Sequence, residues 1–120
     1  MSEAAVPLFE AVKTFVATEV DPITEEYYRL GEGRAEHWGF GAGLLELLDS
    51  VKAKANGLWN FFLPKSETGE GLSNLDYVYI AVELGNSPLA SECLSCSPPD
   101  TGNMEVLERV GTSEQKKQWL

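Results

Sequence analysis

The stretch Asp100-Thr-Gly-Asn-Met-Glu-Val-Leu-Glu-Arg-Val-Gly-Thr-Ser-Glu-Gln-Lys-Lys-Gln-Trp-Leu120 decides the fold class, because it predicts two successive helices. Apolar side chains recur at helical spacing in its first half: Met104, Leu107 and Val110. We expect Gly111 to close that helix in a left-handed conformation, and Thr112 with Gln115 has the spacing of a capping box. The second helix would reach only about two turns before it ends in apolar residues, so further protein is expected downstream.

Helical periodicity also governs the chain upstream of this stretch. A first helix is expected to end near Asp21-Pro22, and a second runs from Pro22 to about Leu30 with Asp21 as its cap. A third spans Leu44 to Ala55 and stops at Asn56-Gly57. The apolar residues that define the first face are Phe9, Val12, Val16 and Val20.

One more helix begins at Ser73, which has Asp76 three residues later as a capping partner, and it ends near Gly85. Its apolar face is predicted at Leu75, Val78, Tyr79 and Val82. The apolar segment from Leu58 to Leu63 is expected to pack over the core as extended or irregular chain. No segment alternates with period two, so residues 1–120 are predicted to form one all-α domain, an up-and-down bundle of about five to six helices.

Charge and hydropathy exclude several classes of function. Nineteen acidic residues against nine basic ones give a net charge of -10, which repels nucleic-acid backbones and anionic membranes. The apolar runs are too short to cross a bilayer, and the first residues lack the basic start of a secretory signal. We therefore expect a soluble, intracellular protein that does not bind nucleic acid.

The two cysteines, Cys93 and Cys96, have C-x-x-C spacing, which leaves two interpretations open. A zinc site would need two more ligands, and the chain has a single histidine; a redox pair would sit before a helix, whereas prolines follow here. The favoured interpretation is a pair of free thiols that serve the structure or line a pocket, and no metal site is predicted.

Two further motifs are favoured as structural. Gly39, Gly41 and Gly43 precede a helix, but they lack the spacing of a phosphate-binding loop and no strand leads into them. His37-Trp38 is favoured as a packed corner, because no nucleophile accompanies it in a recognisable motif.

Four blocks in one order carry a resemblance to a known family. Gly57 to Pro64, Gly71-Leu72, Asp76 to Gly85 and the final stretch from Asp100 to Leu120 resemble the N-terminal helical domain of the acyl-CoA dehydrogenases. The sequence Ala55-Asn-Gly-Leu-Trp-Asn60, together with the segment from Cys96 to Glu105, is most similar to the branch of the family that contains family members ten and eleven. The resemblance is dense from Gly57 onward and rests on helix pattern before it.

The resemblance implies a three-domain flavoprotein of which this chain is the first domain. Such enzymes remove a proton alpha to a thioester carbonyl and pass a hydride from the beta carbon to FAD. The catalytic glutamate and the flavin-contacting motifs of the family lie in the other two domains. No catalytic residue is therefore expected in this chain, which alone should neither bind FAD firmly nor dehydrogenate a fatty acyl-CoA.

Substrate and partner residues are also implied by the resemblance. Residues in the stretch before the helix near Gly102 would face the fatty acyl tail: Cys93, Leu94, Cys96, Ser97 and Pro98. Small side chains at these positions would leave room for a longer or bulkier acyl chain of the substrate.

Family members commonly pass electrons to electron-transfer flavoprotein, for which Leu72, Leu75 and Tyr79 are the candidate docking residues, with ordinary core as the alternative. The intact protein is expected to be a homo-oligomer, chiefly through other domains. The competing hypothesis for the chain is a free-standing helical interaction module without catalytic activity.

Overall fold

A computed structural model describes residues 1–32, 39–55, 57–66 and 69–120, and every regular element within these ranges is helical. A 3-10 turn at Glu3–Ala5 precedes seven α-helices: α1 (Val6–Phe15), α2 (Thr24–Glu32), α3 (Leu44–Lys52), α4 (Asn74–Gly85), α5 (Ala90–Cys93), α6 (Asp100–Val110) and α7 (Ser113–Trp119). Because α5 is a single turn, the described ranges contain six longer helices. The prediction of an all-α domain with about five to six helices is confirmed.

The N-terminal helix does not stop at Asp21. A π-helical turn, Val16–Val20, and a 3-10 turn, Asp21–Ile23, join α1 to α2 without a break. Asp21 has helical backbone angles, φ -59° and ψ -40°, so its predicted role as a cap is wrong. Pro22 lies where the π turn passes into the 3-10 turn, and this change of helix type lets the chain continue through a residue without a backbone N–H. The predicted inner face is confirmed, since Val12, Val16 and Val20 are buried.

Between α3 and α4 the described residues close the core without regular structure, as predicted for Leu58 to Leu63. Helix α3 ends at Lys52, earlier than expected, while Gly57 has the left-handed φ of 73° and Asn56 lies outside the described residues. In the irregular segment that follows, Phe61 and Leu63 are fully buried.

Helix α4 packs against α1 and α5, and the side that faces them differs from the predicted one. Its buried residues are Asp76, Ile80 and Leu84. The predicted apolar face points outward instead; its members are Leu75, Val78, Tyr79 and Val82, all exposed. Because α4 is apolar around most of its circumference, periodicity alone could not tell the covered side from the bare one.

The start of α4 is also where the N-terminus of the chain is held. The Ser73 hydroxyl accepts the Asp76 backbone N–H at 3.1 Å and donates to the Asp76 carboxylate at 2.7 Å, which confirms the predicted cap. Ser2 donates to the same carboxylate through its backbone N–H at 2.6 Å and its hydroxyl at 3.1 Å. Asp76 therefore joins two segments that lie 74 residues apart.

The C-terminal helices α6 and α7 pack mainly against each other. The capping box of Thr112 and Gln115 is confirmed, with both reciprocal hydrogen bonds present. Gly111 is extended, with φ -67° and ψ 147°, so the predicted left-handed closure is wrong. Glycine is needed there for space, because an added Cβ would lie 2.5 Å from the Leu107 carbonyl oxygen. Neither α6 nor α7 has a fully buried residue.

The molecule is a slab of about 43 × 33 × 20 Å. Its radius of gyration is 15.3 Å, against roughly 13.6 Å for a compact domain of this length. Several faces are therefore less covered than in an ordinary small domain.

We expect Asp76→Asn to lower the free energy of unfolding at neutral pH, because the hydrogen bonds from Ser2 and Ser73 hold the pKa of the Asp76 carboxyl below its usual value. A depressed pKa means that this stabilisation is present above the unfolded-state value of about 3.9 and is lost as pH falls through the folded-state value. Urea denaturation of both proteins at pH 7 and at pH 3 would measure it. The difference in free energy of unfolding between the unchanged protein and Asp76→Asn should be smaller at pH 3 than at pH 7.

Asp49→Asn makes the same chemical change on the exposed side of α3 and serves as the matched control. Equal effects of the two substitutions at pH 7, or a difference that does not depend on pH, would contradict the role of Asp76.

Candidate functional site

The predicted substrate segment runs from the core to the surface. Cys93 ends α5, and Leu94 follows it; both are 0% exposed. Ser95 then takes a left-handed φ of 58°, and the Cys96 backbone N–H donates to the Ser91 carbonyl at 2.8 Å, which folds the chain back on α5. Ser97 is half-buried and Pro98 is exposed.

The structure thus brings the five predicted residues together along one short segment, but in two environments. Cys93, Leu94 and Cys96 belong to the hydrophobic core, whereas Ser97 and Pro98 lie where a ligand on the surface could reach them. Their assignment to an acyl tail stays a prediction.

Tyr77 is a neighbour of this segment that sequence reasoning did not select. Its ring lies 6.2 Å from the rings of both Phe61 and Phe62, measured between centroids. Its hydroxyl lies near Cys96, whose thiol donates to the Leu94 carbonyl at 3.4 Å. Burial, followed by the nearby Cys96, raises the pKa of Tyr77 to about 12. The only available signal was its place in α4 one residue after Asp76, which does not reveal a contact with a loop almost twenty residues away.

The two cysteines are free and buried. Burial raises the pKa of Cys93 to about 11 and that of Cys96 to about 12. Lys52 and Glu92 form an ion pair at 2.5 Å beside Cys93, and their opposite effects on its pKa are both smaller than that of burial. Neutral, enclosed thiols suit packing and not nucleophilic or redox chemistry.

The predicted docking residues differ in exposure. Leu72 is half-buried and packs against the core, while Leu75 and Tyr79 stand on the outward side of α4. Val78 and Val82 extend the same row, so that four apolar side chains occupy positions i, i+3, i+4 and i+7. We call this row the outer face of α4; Leu75 is 64% exposed and Val82 65% exposed.

The glycine run before α3 is packed for structural reasons. An added Cβ at Gly41 would lie 2.1 Å from the Leu30 carbonyl oxygen, and Gly43 has a left-handed φ of 82°. These positions therefore let the chain pass closely under the end of α2. His37 and Trp38 lie outside the described residues.

Neither a metal-binding cluster nor a membrane span is present in the described part of the chain. Residues 1–32, 39–55, 57–66 and 69–120 contain no group of three histidine, cysteine or acidic side chains placed to hold a metal ion. None of the helices in those same ranges has the length and hydropathy that a bilayer span requires.

Neither the groove beside α1 nor the glycines before α3, among the residues that the structure describes, fit FAD. The groove of about 670 Å³ between α1 and the end of α3 has two glutamates in its lining, Glu10 and Glu19, and Glu19 already binds the one lysine there, Lys54, at 2.7 Å. The glycines before α3 approach the Leu30 backbone and leave no cradle for a phosphate. A flavin would need most of its contacts from elsewhere.

Comparison with known proteins identifies the class of this helical domain. The family model described as acyl-CoA dehydrogenase, N-terminal domain, matches residues 2–120. A solved structure from Mycobacterium abscessus, named as a candidate acyl-CoA dehydrogenase, superimposes with a TM-score of 0.75 at 42% identity over 99% of this chain.

The chain belongs to the acyl-CoA dehydrogenase family. Among curated proteins it is similar to mouse acyl-CoA dehydrogenase family member 10, with 42% identity over 100% of this chain, and to mouse family member 11, with 46% identity over 91%. It spans 11% and 14% of the length of these two relatives and 31% of the Mycobacterium abscessus chain.

We expect both thiols to react about 100-fold or more slowly with a disulfide reagent at pH 8 in the folded chain than in guanidinium, because raised pKa values remove the thiolate. The same raised pKa values predict a contribution of the neutral thiols to the free energy of unfolding. This contribution is fully present below the unfolded-state thiol pKa of about 8.5 and is lost as pH rises toward 11. Thiol titration at several pH values measures the first effect, and Cys93→Ala and Cys96→Ala separate the two sites. Fast labelling of the folded chain, or a readily reversible disulfide between the two cysteines, would contradict this assignment.

Proposed function

We propose that this chain is the N-terminal helical domain of an FAD-dependent enzyme that dehydrogenates fatty acyl-CoA thioesters between the alpha and beta carbons. The observation that supports the proposal most is the family match over residues 2–120, which includes the irregular segments as well as the helices. In this proposal FAD and the catalytic base belong to further domains. The present chain contributes one wall of the acyl pocket and no reacting group.

Expression of a longer protein that carries this domain tests the proposal directly. It should purify yellow with bound flavin, and an acyl-CoA should bleach the flavin absorbance under anaerobic conditions. The 120-residue chain alone should be colourless and inactive. A longer protein without flavin and without activity would instead support the alternative, a helical interaction module, whose supporting feature is the outer face of α4.

The proposed acyl wall is the segment from Cys93 to Pro98. Its buried half, with Leu94 and Cys96 in the core, fixes the backbone, while Ser97 is the partly exposed residue that a substrate tail would meet. The Ser97 carbonyl accepts the backbone N–H groups of Asp100 and Thr101 at 3.0 and 3.3 Å, so it also sets the start of α6. These bonds involve the main chain, and a change of the Ser97 side chain leaves them available.

We predict that Ser97→Phe shifts the preference of the longer enzyme toward shorter acyl chains, because a ring would occupy space that the serine leaves open. We expect kcat/KM for long-chain acyl-CoA to fall at least about tenfold, as one or two lost methylene contacts would produce, while a short-chain substrate changes little. Steady-state kinetics over a series of chain lengths is the measurement. Ser50→Phe, on an exposed position of α3, is the control, and an unchanged preference in Ser97→Phe would refute the assignment.

The outer face of α4 is the proposed docking surface for electron-transfer flavoprotein. A row of four exposed apolar side chains on one helix is larger than the scattered apolar residues of an ordinary surface, and it fits a partner that inserts an apolar loop. Val78 and Val82 join Leu75 and Tyr79 in this proposal, whereas Leu72 supports the helix from the side of the core. Homo-oligomerisation of the intact protein is assigned to other domains.

We predict that Leu75→Glu raises KM for electron-transfer flavoprotein at least about tenfold, because a charge would replace an exposed apolar contact of the outer face. Its activity with a small artificial electron acceptor should stay the same. Asn74→Glu introduces the same charge at the adjacent exposed position and serves as the control. Parallel loss of activity with both acceptors, or equal effects of both substitutions, would reject this docking surface.

A further inference from the structure

The segment from Cys93 to Pro98 follows a helix that is too short to hold its own position. Helix α5 is one turn long, and a single helical turn is not stable in water without tertiary contacts. It packs against α4, against α3 and against the π turn at Val16–Val20. Whatever fixes α5 against these neighbours therefore also fixes the segment that follows it.

An ion pair joins α5 to the last turn of α3. The Lys52 ammonium donates to Oε1 of Glu92 at 2.5 Å, across 40 residues of sequence. Lys52 lies in the last turn of α3, where a positive charge also complements the partial negative charge of the helix end. Glu92 lies within the single turn of α5. The bond therefore connects α5 directly to a longer helix.

The backbone around Glu92 determines the turn that comes next. The Cys96 N–H donates to the Ser91 carbonyl at 2.8 Å, and the Ser95 N–H donates to the Glu92 carbonyl at 3.4 Å. Ser95 takes its left-handed φ of 58° within this turn. Because both carbonyls belong to α5, a shift of Glu92 moves Cys96 and Ser97 with it.

Apolar packing under α5 leaves one kind of movement open. Cys93 and Leu94 are 0% exposed and hold the turn at its depth in the core. Burial of apolar surface is non-directional, so it opposes separation of α5 from the core more than it opposes sliding along the core. A charge-assisted hydrogen bond has a preferred distance and angle, and it therefore opposes sliding.

The exposure of the ion pair indicates that its main effect is local. The side chains of Lys52 and Glu92 are 26% and 41% exposed. Ion pairs in contact with water usually change the free energy of unfolding only slightly. The pair therefore matters more for the placement of α5 than for the stability of the whole domain.

We propose that Lys52 and Glu92 are positioning residues that fix the 93–98 segment, so that Ser97 stands at a constant depth in the acyl pocket. This inference rests on the proposed function, in which the segment is the acyl wall. Both residues act through the segment and not on the substrate. They add a determinant of chain-length preference that lies outside the residues facing the acyl tail.

A set of variants separates loss of the bond from the cost of leaving one charge unpaired. Lys52→Met and Glu92→Gln each remove the bond and leave one charge without its partner. Both substitutions together, the neutral pair, remove the bond and both charges. Lys52→Glu combined with Glu92→Lys, the exchanged pair, restores a bond with the charges reversed. If the bond positions α5, the exchanged pair should behave like the unchanged protein and the neutral pair should not.

Lys54 and Glu19 supply the matched control. They form an ion pair at 2.7 Å, and this pair joins the chain just after α3 to the π turn instead of to α5. Lys54→Met combined with Glu19→Gln therefore makes the same chemical change close by without removing a bond to α5.

Hydrogen exchange of the Ser95 and Cys96 amides in this chain is the first readout. In the neutral pair we expect these amides to exchange about three- to fivefold faster, as for one partly exposed ion pair. The amides of Ile80 and Leu84 in α4 should exchange as before. The exchanged pair should return the rates to those of the unchanged protein, and the control should not alter them. Unchanged rates in the neutral pair, or equally faster exchange in α4, would overturn the positioning role.

The chain-length preference of the longer enzyme is the second readout. In the neutral pair, the ratio of kcat/KM for a long-chain acyl-CoA to that for a short-chain one should fall at least about threefold, because a wall that is not fixed discriminates less between chain lengths. The exchanged pair should restore the ratio.

The two readouts distinguish failure of this inference from failure of the proposed function. An active enzyme that keeps its ratio, although its Ser95 and Cys96 amides exchange faster, would refute the role in the acyl pocket and leave the proposed function standing. A longer protein without flavin and without activity would reject the proposed function and the acyl-pocket role with it. In that case the exchange rates would still decide whether the ion pair positions the segment.

Discussion

The burial of one side of α4 is the interaction on which the rest of this domain depends. Ile80 and Leu84 fill the core between α1 and α5, and Asp76 on the same side binds Ser2. The irregular segment from Leu58 to Leu63 packs on this core through Phe61 and on α4 through contact with Tyr77. Each proposed functional element, the 93–98 segment and the outer face, is therefore an extension of the packing around one helix.

The helical class and most helix positions could be predicted from the sequence, because apolar spacing and caps are local signals. Ser73 and the Thr112–Gln115 pair were found correctly, since a capping hydrogen bond joins residues only three apart. The prediction for Asp21 is wrong because a π turn and a 3-10 turn can carry a helix through a proline, and neither has a strong sequence signature. The prediction for Gly111 is wrong because a glycine needed for close approach looks the same in sequence as one needed for a positive φ.

The candidate site was predictable only as a segment. Spacing could not say which of residues 93–98 face inward, since that depends on the turn at Ser95 and on the return bond to Ser91. It also could not connect Tyr77 to Cys96, because these two residues lie 19 positions apart in the sequence. For α4 the apolar spacing predicted the row of Leu75, Val78, Tyr79 and Val82 as the buried side, and the structure shows that this row is exposed.

The 20 Å thickness of the slab has a consequence for how such a domain can evolve. Two helix diameters fill that depth, so no interior side chain lies more than about one helix away from an outer surface. A ligand tail resting on the slab would touch residues that also hold the fold, such as those around Leu94 and Cys96. A substitution of an interior residue that enlarges or narrows a pocket would then also change the thermal stability of the domain. Substitutions at half-exposed positions such as Ser97 would change the size of the pocket with less effect on thermal stability.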